Sequence, residues 1–168
     1  MKRLVAGASM AGLLAAALAL PAPAIARDSL GIFGDWGAFI DPRTPRCYAI
    51  AKAAPSRLQR DHKPYASIGT WPGRNVRGQV HFRLSRNMST GRPIRLVLGD
   101  RTFELVGSGA DAWAKDKAMD AAIIAAMRAA GSMTISASDA NGRRFSNTYD
   151  LDGVATAMDA ATVGCANL

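Results

Sequence analysis

The chain has 168 residues, of which 49% are hydrophobic and 20% are charged. This balance excludes a disordered chain, because a disordered chain lacks the apolar residues needed for a core. The formal net charge of +8 favours anionic partners without identifying one. We therefore expect one globular domain with a basic surface.

Residues 1–26 predict a secretory signal peptide. Two basic residues are followed by an Ala- and Leu-rich apolar run at residues 4–20, and a small-x-small pattern ends at Ala26. We expect cleavage after Ala26, a mature domain of residues 27–168, and a periplasmic or secreted location. An uncleaved membrane anchor is the alternative, although the run is short for one. After cleavage, no stretch is apolar and long enough to span a bilayer.

Alternating apolar and polar residues predict strands through the first two thirds of the mature chain. Residues 27–34 form a short lead-in, and the polar residues 55–64 form a loop. The clearest alternation places Val80 and Phe82 on a buried face and the residues between them on a wet face. The predicted strands cover residues 33–39, 46–51, 65–71, 76–85, 94–98 and 103–105.

Residues 111–130 predict a helix that lies on the sheet. They contain no Gly or Pro, Asp111 or Asp116 can cap the start, and Gly131 follows the end. Strands at 133–137 and 145–151 and a short helix at 152–161 complete the chain. The fold class is therefore mainly β: an antiparallel β-sandwich with one substantial α-helix and a short C-terminal helix.

The two cysteines, Cys47 and Cys165, are expected to form a disulfide, because an exported chain meets an oxidising compartment. Two free thiols or a redox pair are the alternatives. Neither cysteine belongs to a Cys-x-x-Cys motif, so the pattern favours a structural bridge.

Catalytic and metal-binding motifs are not found in the sequence. His62 and His81 have no partners at catalytic or metal-ligand spacing, and Gly-x-Ser-x-Gly is absent. Residues 150–153 resemble only the start of a calcium loop. We predict a non-enzymatic protein without metal or cofactor; a hydrolase with an unrecognised Asp/His or Asp/Arg site is the less favoured alternative.

Arginines on and around the long strand form a candidate anion-binding face. Alternation places Arg77, His81 and Arg83 opposite Val80 and Phe82, and Arg95 points the same way if its strand pairs with theirs. With Arg74 added, the candidate residues are Arg74, Arg77, His81, Arg83 and Arg95. Guanidinium groups suit arrays of phosphate or carboxylate. The expected partner is an anionic envelope polymer or lipid, and the alternative is a solvated sheet face.

Nucleic acid is not an expected partner in this compartment, and no aromatic residue interleaves these arginines as single-strand binders prefer. The three tryptophans, Trp36, Trp71 and Trp113, can form a ligand platform or fill a core. Trp71 precedes Pro72-Gly73, so we expect it to be the most exposed of them.

Two groups of motifs resemble the invasion-associated locus B family. Near the start, Phe33-Gly34-Asp35-Trp36 is followed by Cys47. Near the end are Met133-Thr134-Ile135, the turn Asn141-Gly142, Tyr149-Asp150-Leu151-Asp152-Gly153, Ala155 to Met158, and Cys165. The resemblance implies a secreted or periplasmic bacterial protein with an immunoglobulin-like β-sandwich, and it supplies no catalytic residues.

The sequence thus favours a non-enzymatic, envelope-associated protein that binds an anionic envelope component or a periplasmic or host protein. An inhibitor or chaperone of a periplasmic or secreted protein is the alternative. Such a protein acts by presenting a loop, here residues 55–64 or 72–75.

Overall fold

The computed structural model describes residues 28–166 and 168; the predicted signal peptide at 1–26 lies outside these residues, so the division at residue 26 stays a prediction. The described part contains ten strands and two helices, which confirms the mainly antiparallel β class. The elements are β1 (Asp28–Phe33), β2 (Trp36–Asp41), β3 (Arg46–Lys52), β4 (Tyr65–Trp71), β5 (Val76–Arg83), β6 (Ile94–Leu98), β7 (Arg101–Ser108), β8 (Asp111–Trp113), α1 (Lys117–Met127), β9 (Ser132–Ser138), β10 (Arg144–Asp150) and α2 (Val154–Gly164).

The strands hydrogen-bond in the order β1-β2-β3-β4-β5-β8-β7-β6-β9-β10. Residues 101–105 of β7 pair with β6, whereas residues 106–108 pair with β8. The sheet therefore bends at β7 and forms two packed layers. We call them sheet A (β1–β5, β8 and the end of β7) and sheet B (the start of β7, β6, β9 and β10). Where the layers face each other, the rings of Phe82 and Tyr149 are 6.0 Å apart.

The inner face of sheet A is built largely from small side chains, such as Ala38, Ala49 and Ala66, which are 1% exposed or less. Small side chains leave room for α2 to pack against β1–β4. Cys47 on β3 and Cys165 after α2 form the predicted disulfide, with their Cα atoms 5.7 Å apart and 118 residues between them in sequence. In the chain-entropy model, closing a loop of this length stabilises the fold by about 4–5 kcal/mol.

The N-terminal strand prediction is wrong at residues 28–35, whereas residues 36–39 form a strand as predicted. The expected lead-in is the strand β1, and the expected single strand at 33–39 contains a turn. Phe33 pairs directly with Trp36 across Gly34-Asp35, and Gly34 has a φ of +55°. Glycine adopts this left-handed conformation without a steric penalty, so the chain reverses within a run whose flanking residues are both aromatic.

The helix prediction is wrong at both ends. Residues 111–113 form β8, and α1 begins only at Lys117. The cap is Asp116, whose carboxylate accepts a hydrogen bond from the backbone N–H of Met119 at 2.7 Å. Asp111 does not cap α1, because it lies on the strand β8. At the other end, α1 stops at Met127, before the predicted Gly131.

The β1–β2 turn packs directly on the turn between β10 and α2. The indole Nε1 of Trp36 donates a hydrogen bond to the carbonyl oxygen of Asp150 at 2.9 Å. A Cβ added to Gly153 would lie 2.0 Å from the carbonyl oxygen of Phe33, and Gly153 has a φ of +78°. The motifs at the two ends of the chain therefore meet and fix each other.

Candidate functional site

The described helices leave the outer face of sheet A uncovered. Both helices contribute side chains to the core on the inner side, such as Ile123 and Ala157. The outer face is unusually apolar for a wet surface: Ile32 is 68% exposed and Val106 is 50% exposed. One row of paired residues crosses this face from β1 to β7: Ile32, Gly37, Ile50, Ser67, His81, Trp113 and Val106.

A charged cluster lies in the middle of this face. Asp111 on β8 contacts two of the predicted anion-binding residues, both on β5. Its Oδ1 lies 3.0 Å from Nε2 of His81, and its Oδ2 lies 2.5 Å from Nη1 of Arg83. Burial lowers the pKa of His81, and the neighbouring Asp111 carboxylate offsets this only in part. His81 is therefore neutral at pH 7, and the charge of Arg83 is compensated by Asp111.

The prediction that Arg77 shares a face with His81 and Arg83 is wrong. The β4–β5 register shifts between Gly69 and Trp71, where Gly78 of β5 has a φ of +67°. The extra residue is a β-bulge, and it reverses the alternation that the sequence pattern assumes. Arg77 consequently lines a cavity on the helix side of the sheet.

Arg95 and Arg74 are also separated from the cluster. Arg95 lies on β6 of sheet B, where it pairs with Glu104 and Ser136, because β8 occupies the position beside β5. Arg74 ends a short 3₁₀ turn, Pro72–Arg74, at the end of sheet A. Of the five predicted residues, only His81 and Arg83 belong to the ion-paired cluster around Asp111.

The cavity beside Arg77 has a volume of about 520 Å³ and lies between α1, α2 and strands β4 and β5. Its wall is largely apolar, with Ile124 and Met158 among the lining residues. Arg128 also lines it, but this guanidinium binds Asp159 at 2.6 Å, and the hydrogen bond lowers the pKa of that carboxyl. Arg77 is exposed and has no ion-pair partner among the described residues, so it presents a free cation to the cavity.

A larger groove, about 1280 Å³, lies between loop 53–64 and the outer face of β1–β4. Hydrogen bonds hold this loop in place: the backbone N–H groups of Asp61 and His62 donate to the carbonyl oxygen of Ser85 at 2.9 and 3.1 Å. Arg86 donates to the carbonyl oxygen of Gln59 at 3.0 Å. These hydrogen bonds fix the loop in position as one side of the groove, whereas the sequence indicates only that the loop is polar.

Aromatic rings from neighbouring strands surround the charged cluster, although no aromatic residue was expected to interleave the arginines along the sequence. The imidazole of His81 lies 5.1 Å from the Trp113 ring and 5.6 Å from the Tyr65 ring. A Cβ on Gly69 would lie 2.5 Å from Cη2 of Trp71, so the Trp71 ring lies over the glycine. Trp36 is fully buried, which leaves two of the three tryptophans for a platform.

From the sequence, Trp113 is named only as one of three tryptophans and Asp111 only as a candidate helix cap, because both residues fall within the predicted helix. Asp111 anchors the cluster through β8, a strand of three residues. A usable indication was the Gly107-x-Gly109 spacing before it, which permits a tight return of the chain. Within residues 28–166 and 168, no group of three or more His, Cys, Asp or Glu side chains can hold a metal ion. No described helix is long and apolar enough to cross a membrane.

These features define a small, disulfide-linked, two-layer β domain whose sheet A has an open outer face. The model of the family described as Invasion associated locus B (IalB) protein matches residues 86–162, from the end of β5 into α2. The crystal structure of invasion associated protein B from Bartonella henselae has a similar fold. Its TM-score is 0.58 at 16% identity, over 79% of this chain and 95% of that chain. No curated protein matches the chain. The predicted resemblance to this family is therefore confirmed.

Proposed function

We propose that this chain is an exported, non-enzymatic protein of the bacterial envelope that binds an anionic envelope lipid or polymer. Three observations support the location: the apolar run at residues 4–20, the match to the locus B family, and the Cys47–Cys165 disulfide. Disulfides persist mainly in oxidising compartments, and the periplasm is one of them.

The unpaired Arg77 beside an apolar cavity carries the binding proposal. A guanidinium group favours phosphate or carboxylate, and the apolar wall behind it suits the hydrocarbon part of a lipid. Arg74 lies three residues away at the same end of sheet A and is exposed. These two arginines replace the five-residue face that the sequence predicts, because Asp111 compensates Arg83 and Arg95 lies on the other sheet.

The binding proposal is tested by co-sedimentation of the mature protein with anionic vesicles and with sacculi, at low and high salt. We expect binding that salt weakens. The double variant Arg74→Ala/Arg77→Ala should lose it. The control Arg92→Ala/Arg144→Ala removes the same charge from exposed positions elsewhere and should bind normally. If the two double variants sediment alike, the arginine site is wrong.

The location is tested separately by fractionating cells that express the full chain. We expect the protein in the periplasm or the medium, with an N-terminus at Arg27 and no free thiol. A protein that stays in the cytoplasm with its first residues intact would contradict the export proposal.

The fixed loop 53–64 favours a second candidate, an inhibitor or chaperone that presents this loop to a protein partner. The support is the groove beside the loop and the hydrogen bonds that hold it. Arg86→Ala should release the loop from Gln59 and weaken such a complex, whereas Arg92→Ala should not. Size-exclusion chromatography of the captured complex gives its stoichiometry, and failure to isolate a stoichiometric complex removes this candidate.

A further inference from the structure

The outer face of sheet A combines partly exposed aromatic rings with a small polar cluster. Tyr65 on β4 and Trp113 on β8 flank His81 on β5, and all three are partly exposed. The six-membered ring of Trp71 lies over Gly69, where any side chain would displace it. The aromatic side chains therefore lie on both sides of the polar cluster.

Hydrogen-bonding groups lie between these rings. Asp111 offers carboxylate oxygens, Arg83 offers guanidinium N–H groups, and His81 offers its second ring nitrogen. Ser67 is paired directly across from His81 and faces the same side of the sheet. Each polar group is held by a strand or by an ion pair, so the arrangement exists before any ligand arrives.

The charges inside this cluster compensate one another. Asp111 binds both His81 and Arg83, at 3.0 and 2.5 Å. Burial lowers the pKa of His81, which favours its neutral form at pH 7. One positive and one negative charge remain, so the cluster itself has no net charge and suits an uncharged ligand with many hydroxyl groups. Exposed Lys52, which pairs with Tyr65, adds one positive charge beside it.

We propose that the face formed by Tyr65, Trp71, His81, Arg83, Asp111 and Trp113 is a binding site for a neutral glycan strand. A sugar ring presents C–H groups on its faces and hydroxyl groups at its edge, which match aromatic rings and polar side chains respectively. The strand lies across β4, β5 and β8. This site is distinct from the arginine site beside the cavity, and its ligand differs in charge.

The test uses the mature protein and three uncharged probes, namely chitotetraose, cellotetraose and maltotetraose, with polygalacturonate as the acidic probe. Calorimetry measures affinity at low and high salt. We expect at least one neutral probe to bind without salt dependence. Trp113→Ala should weaken that binding by about tenfold or more, as loss of a stacking ring predicts. Val97→Ala removes an exposed apolar side chain from sheet B and should bind as the parent does.

Tryptophan emission gives a second readout, because Trp36 is buried away from the face while Trp71 and Trp113 lie on it. Ligand binding should change the emission of the parent, and the urea midpoint shows whether each variant is folded. Tyr65→Ala replaces Trp113→Ala if the latter unfolds. Absence of binding to all three neutral probes, binding to polygalacturonate alone, or unchanged affinity in a folded Trp113→Ala variant would each overturn the proposal.

Discussion

Substitution of Gly153 by alanine tests how the two ends of the chain are joined. Gly153 has a φ of +78°, and an added Cβ would lie 2.0 Å from the carbonyl oxygen and 2.3 Å from the carbonyl carbon of Phe33. Ordinary contacts of a Cβ begin near 3.4 Å. Both obstructing atoms belong to the backbone, so no side-chain rotation can relieve the overlap.

The expected destabilisation has two parts. The left-handed conformation costs an alanine about 1–2 kcal/mol. Moving the β1–β2 turn away adds about 1–3 kcal/mol, as overpacking generally does, and weakens the hydrogen bond from Trp36 to Asp150. We expect Gly153→Ala to lower the free energy of unfolding by about 2–5 kcal/mol in total.

Gly142→Ala is the matched control. Gly142 has a φ of +75°, but nothing lies within 4 Å of an added Cβ. Gly142→Ala should therefore lower the free energy of unfolding only by the cost of the left-handed backbone conformation, about 1–2 kcal/mol. Urea unfolding followed by tryptophan emission gives both values under the same conditions. Equal losses in the two variants would show that the contact between the turns contributes nothing.

Three further predictions concern the disulfide and two titrating side chains. Replacing Cys47 and Cys165 by alanine should lower the free energy of unfolding by about 4–5 kcal/mol in urea, and an unchanged midpoint would contradict this. Burial raises the pKa of Asp139, but the hydrogen bonds that its carboxylate accepts have the larger effect, so the pKa lies below its usual value of 3.8. The donors are the backbone N–H groups of Arg143 and Asn141 and the side chain of Arg143. The stabilisation that Asp139 provides is complete above pH 3.8 and is lost as the pH falls through the lowered pKa, so Asp139→Asn should flatten the acid decline of the urea midpoint. The pKa of His81 lies below 6.5 through burial, so stability should fall as the pH drops below 6.5, and His81→Gln should remove that step.

The alternation of apolar and polar residues was sufficient to predict elements whose conformation depends on local sequence. Strand β4 has the predicted bounds, residues 65–71, and loop 53–64 contains the predicted loop. Period-two alternation on β5 correctly places Val80 and Phe82 in the core, where they are 1% exposed or less. The disulfide followed from the chemistry of the compartment rather than from geometry.

The candidate site was less predictable, because its arrangement depends on which strands become neighbours. Asp111 meets Arg83 across 28 residues of sequence, and only the pairing of β5 with β8 makes them partners. The bulge at Gly78 moves Arg77 to the other face. A glycine within an alternating run often marks a bulge, so Gly78 was a sign that the simple alternation did not take into account. A short strand such as β8 has too few residues to show any period.

The meeting of the chain ends also determines the order in which the fold can be completed. The β1–β2 turn rests on Gly153, and β3 is joined to Cys165, so the first strands acquire their final neighbours only after the C-terminal helix is available. Contacts this distant in sequence form slowly. A chain that emerges N-terminus first therefore carries β1–β3 with an uncovered alanine-rich face and an exposed edge, a state prone to aggregation. The strands β1–β3 are therefore synthesised before Gly153 and Cys165, the residues that complete their packing.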